Sequence, residues 1–469
     1  MRPPRLSVAL ALVVAGLVCA TKARALTVTL QATLTVPGTQ SGDAFGGAVA
    51  VSDGALLVGA PHQQGGWGGA YLFTRPDTAW VLAPAVQVGS NPRGSFGAAL
   101  ALSRDTALVG SPAAEDGQGA AYLYESTGAQ LVLQTRLFPD LVTPGLRLGS
   151  AVALEDGTAL VGAPGYASFA GTVFVLERSG VGWTSTAQFG PTDPRSTGQL
   201  GRAVALSGDT ALVGALRGPA GGTAFVFRRG GDAWSEEVEL LPDSSGGVPP
   251  TTYGEMLALD RDTAVLIAAG QDAVHVFRRG GTAWSTEATF RVSRTPWFFR
   301  LCGGVALAGD LLAVGGLEAS QGFVYLYERS AGSWAQAARA EGTRVGEADS
   351  DTTFALAFAP GLLVVGVPGR GRVLVYSVLQ GDGAACTVGA QCESGTCAAG
   401  VCCRGSCPCV DDGGAACASN AAAGLAARGC GCGAARRAGG AGVIAVLVTL
   451  ALLLGSFRRR RRCSNPAAH

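Results

Sequence analysis

Between residue 26 and about residue 378, apolar positions come in short alternating runs that are cut every few residues by glycine, aspartate, serine or proline. "FGGAVAV" (Phe45 to Val51), "ALLVGAP" (Ala55 to Pro61), "GAYLF" (Gly69 to Phe73) and the more polar "WSEEVELLP" (Trp234 to Pro242) typify the four pieces of one unit. Period-two runs bounded by turn residues predict strands, four per unit, with no segment of helical period between them. The unit recurs. "ALSGDTALVGA" (Ala205 to Ala215) has counterparts at Ala101 to Ser111, Ala153 to Ala163 and Ala306 to Gly316. Its "VG" glycine falls at Gly59, Gly110, Gly162 and Gly214, then in a degenerate copy at Asp262 to Gly270, then at Gly315 and Gly366.

Seven four-stranded units spaced about fifty residues apart predict an all-β, seven-bladed propeller over residues 26–378. The small, apolar inner strands are expected to pack both faces on neighbouring blades, and the outer strands to alternate toward solvent. Outer strands follow at Trp80, Leu131, Trp183, Trp234, Trp284 and Trp334, but the seventh third strand, Val373 to Tyr376, has none after it. The unused piece "LTVTLQATLTVPG" (Leu26 to Gly38) resembles "LVLQTRLFP" (Leu131 to Pro139). It is expected to supply the missing strand and close the ring, which leaves no open edge.

The segments Phe45 to Pro61 and Phe96 to Pro112 resemble the FG-GAP repeats of integrin alpha-chain propellers, and more closely the bacterial surface-protein form of that repeat. The resemblance runs from Phe45 to about Tyr376. Leu148-Gly149 and Leu200-Gly201 replace Phe-Gly in copies three and four, and copies five and six are degenerate. It implies an integrin-like propeller in which the turn between the first two strands often binds calcium. Calcium takes six to eight oxygen ligands, whereas the turns here read "SDGA", "SRDT", "EDGT", "SGDT" and "DRDT". Asp105, Asp209, Asp262 and Asp310 are therefore read as hairpin-turn residues that bond nearby backbone amides. Glu115 and Asp116, in the longer loop after the second strand, are the calcium candidates that survive, with a solvated loop as the alternative. Otherwise no metal, no cofactor and no catalytic set is expected.

Residues 1–25 read as a signal peptide: basic residues, an apolar run from Leu6 to about Ala20, and Ala23-Arg24-Ala25 as a cleavage site. A lipobox at Cys19 is the other reading, disfavoured by Val18. Residues 438–457 are uncharged and, at about 1.5 Å per residue, long enough to span a hydrocarbon core of about 30 Å. Arg458 to Arg462 follow, so residues 458–469 are expected to be a cytoplasmic tail. Residues 379–418 hold Cys386, Cys392, Cys397, Cys402, Cys403, Cys407, Cys409 and Cys417. In an exported chain this density predicts a disulfide stalk of unspecified connectivity, with zinc as the competing reading. The stalk resembles cysteine-rich modules of myxobacterial surface proteins. Residues 419–437 form a linker whose cysteine motif, read with the helix and basic tail, resembles the MYXO-CTERM sorting signal. That resemblance implies cleavage of the tail and anchoring through Cys430 or Cys432; a plain transmembrane anchor with one more disulfide is the alternative.

A net charge of +1, with 15% charged residues, announces no nucleic-acid partner. Lys22 is the only lysine, which suits a GC-rich, bacterial, Gram-negative source. The histidines are His62, His275 and His469, none in a catalytic motif. His275 alternates with valines and is expected to be packed or hydrogen-bonded, and Cys302 to be a buried free thiol. The expectation is a membrane-anchored, non-enzymatic adhesion or recognition protein of the cell surface. Its contacts with an extracellular protein or glycan would come from variable loops such as His62 to Gly69. An exported hydrolase using the propeller channel and a purely structural envelope component are the alternatives.

Overall fold

A computed structural model describes residues 26–380, apart from 53, 84–93, 128–129, 138–143, 181, 193–197, 217–220, 232, 242–251, 293–298, 319–320, 331 and 345–353, together with 391–392, 397–398 and 401–402. The expected signal peptide (1–25), Cys386, Cys403, Cys407, Cys409, Cys417, the linker with Cys430 and Cys432, the apolar segment 438–457 and the basic tail lie outside the described residues. Among the described residues no helix is long and apolar enough to cross a membrane.

Seven four-stranded antiparallel sheets form in chain order. Their first strands are Ala48–Ser52, Ala99–Ser103, Val152–Glu155, Gly198–Ser207, Leu257–Asp260, Phe299–Ala308 and Ala355–Ala359. Blade four is a regular example, continuing through Thr210–Leu216, Gly222–Gly230 and Ala233–Leu240. The N-terminal strand, Thr27–Leu34, pairs antiparallel with Arg372–Leu379 as the outer strand of blade seven. The ring thus closes with the two ends of the propeller chain in one sheet, as the spare strand in the sequence required.

The core is a set of seams between blades. Side chains of a strand alternate sides, so in the second strand of blade one Leu56 and Val58 join residues of blade seven while Leu57 joins residues of blade two. Second strands are therefore buried on both faces, as in Thr106–Ser111. First strands differ from the expectation: Ala99–Ser103 is half-buried throughout, because one side of the innermost strand turns to the central channel. In blades two to six a register shift interrupts the pairing of third and fourth strands at the same place, as at Val226/Phe227. Such a bulge increases the local twist of the outer strand.

One feature was hidden in the sequence. After the second strand, blades one to three carry single coiled turns, Gln63–Gly66, Ala114–Gly117 and Tyr166–Phe169. Four residues cannot show a helical period, and each turn contains two left-handed positions, such as Glu115 and Asp116 at φ 48° and 55°.

Candidate binding faces of the ring

The two ends of the ring are built by different means. On one, at five of the seven seams, the Phe-Gly segment of a blade, or its counterpart, meets the "VG" segment of the blade before it. Gly97 has φ 84°, and its N–H donates to Gly110 O within its own blade at 3.0 Å. Its carbonyl lies against Gly59 of blade one, where a Cβ on Gly59 would sit 2.0 Å away. The same clash would arise at Gly110 on Gly149, Gly162 on Gly201, Gly214 on Gly254 and Gly366 on Gly46. Backbone therefore packs on backbone, which only glycine allows. The coiled turn completes the seam: Gly68, Gly119 and Gly171 form parallel bridges to Phe96, Leu148 and Leu200 of the following blade. Phe96 is buried edge-on against Tyr122 and Tyr124, at 5.4 and 6.5 Å.

The register also resolves the degenerate copies. Tyr253-Gly254 takes the Phe-Gly position in blade five, and Ile267 stands where blade four has Gly214. Tyr253 is fully buried, and its hydroxyl has no hydrogen-bond partner among the described residues.

In blades one to five the Phe-Gly position, Leu148-Gly149, Leu200-Gly201 and Tyr253-Gly254 included, is followed by Gly47, Ala98, Ser150, Arg202 and Glu255 in turn. Three of these are small. Arg202 and Glu255, on adjacent blades, pair at 3.1 Å, and Arg202 also donates to Gln199 Oε1 at 3.0 Å. The channel holds a cavity of about 300 Å³ whose walls include Arg202 and Glu255 and are otherwise mostly small and aliphatic, with Val49, Leu100 and Val204 among them. Two large aromatics stand out on the coiled turns of this face, Trp67 at 38% and Phe169 at 56% exposure. Phe169 has φ 71° at the place where the other turns use Gly66 and Gly117. A bulky residue in that region is strained by roughly 1–3 kcal/mol.

The opposite end carries the seven hairpins between first and second strands. Each is a two-residue turn, as Ser207 opposite Thr210 shows for blade four. The expectation for the turn aspartates needs correction. Asp105, Asp209 and Asp262 form no carboxylate bond to a backbone amide among the described residues. It is their main-chain carbonyls that accept an N–H from the third strand, at 2.6 to 2.8 Å. Gly54, Gly157 and Gly361 do the same in other blades, so the bond does not need aspartate. The Asp310 carboxylate accepts from Arg329 Nε at 2.7 Å.

The backbone amide of the turn is instead capped from the neighbouring blade. Ser52 Oγ accepts from Arg104 N at 3.1 Å, Glu155 Oε2 from Gly208 N at 2.8 Å, and Ser207 Oγ from Arg261 N at 2.9 Å. Asp260 does the same for Gly309. Outside this ring, arginines at the ends of third strands reach back one blade: Arg178 to Glu125, Arg229 to Glu177 at 2.6 Å, Arg279 to Glu237 at 2.8 Å and Arg329 to Glu287 at 3.3 Å. Sequence reading missed this latch; its signal was an arginine recurring shortly before each outer-strand tryptophan.

Of the other expected residues, Glu115 pairs with Arg136 at 3.0 Å, and Arg136 lies over the Tyr122 ring. Asp116 occupies the next left-handed position of the same turn. Among the described residues no group of three or more His, Cys, Asp or Glu side chains gathers to hold a metal. His62 opens the blade-one turn and is exposed. His275 is buried edge-on to Tyr253, with its Nδ1 3.3 Å from Thr289 Oγ1. Cys302 lies in the first strand of blade six. Cys392 is buried beside Gln380, and Cys397 stands opposite Cys402 in a short ladder.

Closed four-stranded blades around a lined channel define a seven-bladed β-propeller. Three of its segments, residues 28–73, 90–124 and 183–227, match the family model described as the FG-GAP repeat. Two of the matches, 28–73 and 183–227, start in the outer strand of one blade and end in the third strand of the next, so the matched unit straddles a seam. Comparison with curated proteins gives no match. Among solved structures, the chain is similar to one in "Crystal Structure of Mitotic Checkpoint Complex", at TM-score 0.50 and 10% identity over 75% of this chain and 95% of that one. It is also similar to a protein from Lactobacillus plantarum, at TM-score 0.48 and 15% identity over 67% of this chain and 89% of that one. At 10% identity the first likeness is one of fold alone.

Proposed function

We propose that the chain is an exported, envelope-anchored binding protein whose propeller presents the Phe-Gly face to an extracellular protein or glycan, without catalysing a reaction. The observation that carries this reading is the division of labour on that face. Repeated residues are consumed in the seams, while the non-repeated positions of the coiled turns display Trp67 and the strained Phe169. Backbone strain that is maintained under an exposed aromatic is a reason to look for a ligand there. Anchoring through the C-terminal apolar segment, or through a processed cysteine, is part of the proposal. It is supported by the order of cysteine-rich segment, apolar run and arginine tail in the sequence, and by the disulfide-bonded Cys392 at the start of the stalk.

The test is a protein and glycan binding screen of the full-length chain, held in a detergent without a sugar headgroup, with and without calcium. A ligand whose affinity falls about tenfold or more in Phe169→Ala or Trp67→Ala supports the reading. Turnover of a substrate blocked by substitutions at Arg202 or Glu255 would establish the hydrolase alternative instead. Labelling of intact cells with an antibody to the propeller tests surface display separately.

A further inference from the structure

The inter-blade latch occurs in two states within one molecule. Between blades five and six it is closed. Glu287 receives Arg329 Nη1 and Trp334 Nε1, each at 3.3 Å, with Arg278 at 3.6 Å. Arg329 Nε goes to Asp310 at 2.7 Å, and its Nη1 also reaches Thr263 at 3.0 Å. The preceding junction, between blades four and five, has the same residue types in the same register: Glu237 for Glu287, Arg279 for Arg329, Trp284 for Trp334, Asp262 for Asp310 and Arg228 for Arg278.

There the latch is open. The bond from Arg279 Nη2 to Glu237 Oε1, at 2.8 Å, is formed, but Arg279 Nε, Glu237 Oε2 and Trp284 Nε1 are buried without a hydrogen-bond partner among the described residues. Arg279 is only 10% exposed. Beside them lies a cleft of about 640 Å³, lined by Arg228, Ser235, Glu236, Glu237, Asp262, Arg279, Gly281 and Thr282. Buried donors and acceptors are normally satisfied, so a repeated motif that leaves Arg279 and Glu237 incompletely bonded in the wall of a cavity points to a ligand toward which these side chains turn.

We propose that this cleft is a saccharide site. Its volume lies within the range of about 300 to 1,000 Å³ usual for small-molecule sites. Its walls set two guanidinium groups among three carboxylates and the hydroxyls of Ser235 and Thr282, with Gly281 as the remaining wall residue. Three carboxylates repel phosphate or sulfate, and two guanidinium groups repel an amine. A neutral ligand whose groups both donate and accept fits both signs at once, and adjacent sugar hydroxyls do this. One hydroxyl accepts from Arg279 or Arg228 while its neighbour donates to Glu237 or Asp262, which supplies the kind of contact that Glu287 and Asp310 find inside the protein. The site lies at the hairpin end of the ring, so it is independent of what the Phe-Gly face binds.

The experiment is saturation-transfer NMR and equilibrium dialysis on the full-length chain, in the same sugar-free detergent. The panel holds neutral hexoses, N-acetylhexosamines and their disaccharides, with inorganic phosphate and a linear diamine as charged probes. The expected result is binding of at least one neutral saccharide, weakened about tenfold or more by Glu237→Gln, and by Asp262→Asn or Thr282→Ala on the rim, which leave the Arg279 to Glu237 bond intact. Trp67→Ala and Phe169→Ala should leave it unchanged, which separates this site from the Phe-Gly face. Thermal melts of each variant confirm that it is folded. Absence of saccharide binding across the panel overturns the proposal. So does displacement of phosphate or diamine, rather than sugar, by the rim substitutions, or saccharide binding that all three leave untouched.

Discussion

The two ends of the ring solve one problem, holding blade to blade, by different chemistry. At the Phe-Gly end the contact is backbone on backbone, a carbonyl against a glycine, repeated at five of the seven seams with hardly any variation. At the hairpin end each seam finds its own side chains: Ser52, Glu155, Ser207 and Asp260 all cap a neighbouring turn, with an Arg104 to Asp156 ion pair at 3.1 Å between blades two and three. A backbone contact tolerates no substitution because any Cβ intrudes. A side-chain contact tolerates many, since a serine, a glutamate or an aspartate can each accept one N–H. Where the first device fails, the second is strongest. The seam between blades five and six has Ile267 in place of the glycine, and there Asp272 Oδ1 accepts from Leu301 N at 3.1 Å and the Arg329 to Glu287 latch is nine-tenths buried.

The largest expected effect breaks the backbone contact. Gly162→Ala would place a Cβ 2.0 Å from Gly201 O, and no flexible side chain is there to move. We expect a loss of about 4 kcal/mol or more, read as a lowered midpoint in calorimetry, because blades three and four must separate. At the equivalent place in blade five the sign of the rule reverses. Ile267 is 1% exposed in the seam with blade six, so Ile267→Gly leaves a cavity and should cost about 2–5 kcal/mol. If restoring glycine there were neutral, the two kinds of seam would not differ as described.

Next come the latches. Glu287→Ala leaves Arg329, itself 11% exposed, with Asp310 and Thr263 alone and takes the acceptor from the Trp334 N–H, for an expected loss of about 2 kcal/mol. Glu125→Gln, at the Arg178 pair with 43% and 28% exposure, should cost less than about 1 kcal/mol. Equal losses would mean that burial does not grade these pairs. Both are read from denaturant midpoints at constant m-value.

This contrast also explains what could be read from the sequence. The glycine seams repeat because they cannot vary, so the blade number, the strand count and the closing strand at Thr27–Leu34 were all legible. The latch was not, because its partners change identity from blade to blade and join residues about forty to fifty apart through space, as Arg329 does with Glu287. For the same reason the repeated aspartate misled. It sits in a turn as expected, but the bond it shares with Gly54 and Gly157 is made by a carbonyl, which every residue type has. The cleft between blades four and five left little mark either, since its arginines, Glu237 and Asp262 recur in the closed counterpart; Thr286 and Gly332 there replace Glu236 and Thr282, and the missing bonds complete the difference.

A smaller and opposite effect should come from Tyr253. It replaces the phenylalanine of the repeat, and burial alone pushes its phenol pKa far up. Its unpartnered hydroxyl carries a desolvation cost, so Tyr253→Phe should stabilise the ring by about 1–2 kcal/mol. A destabilised variant would show that the hydroxyl has a partner in solution.

The smallest effect tests the hairpin end by pH. Burial pushes the Glu155 carboxyl up; the N–H of Gly208 pulls the other way, and the carboxylates of Asp156 and Asp260 add to the rise. A carboxyl raised in the folded state holds its proton more tightly there than in the unfolded chain. Its contribution to stability is present at low pH and is lost as pH rises through its folded value. Glu155→Gln keeps a carbonyl oxygen for Gly208 N and removes the titration. The variant should therefore gain on the parent as pH rises from about 4 to about 7. Because the group is half exposed, solvent screening holds that gain below about 1 kcal/mol. Gly162→Ala, where the contact broken is a Cα against the backbone carbonyl of Gly201, should show a penalty independent of pH over the same range. If the Glu155→Gln difference were flat and the Gly162→Ala difference sloped, the assignment of a titrating cap to Gly208 and of a bare backbone contact to Gly162 would be reversed.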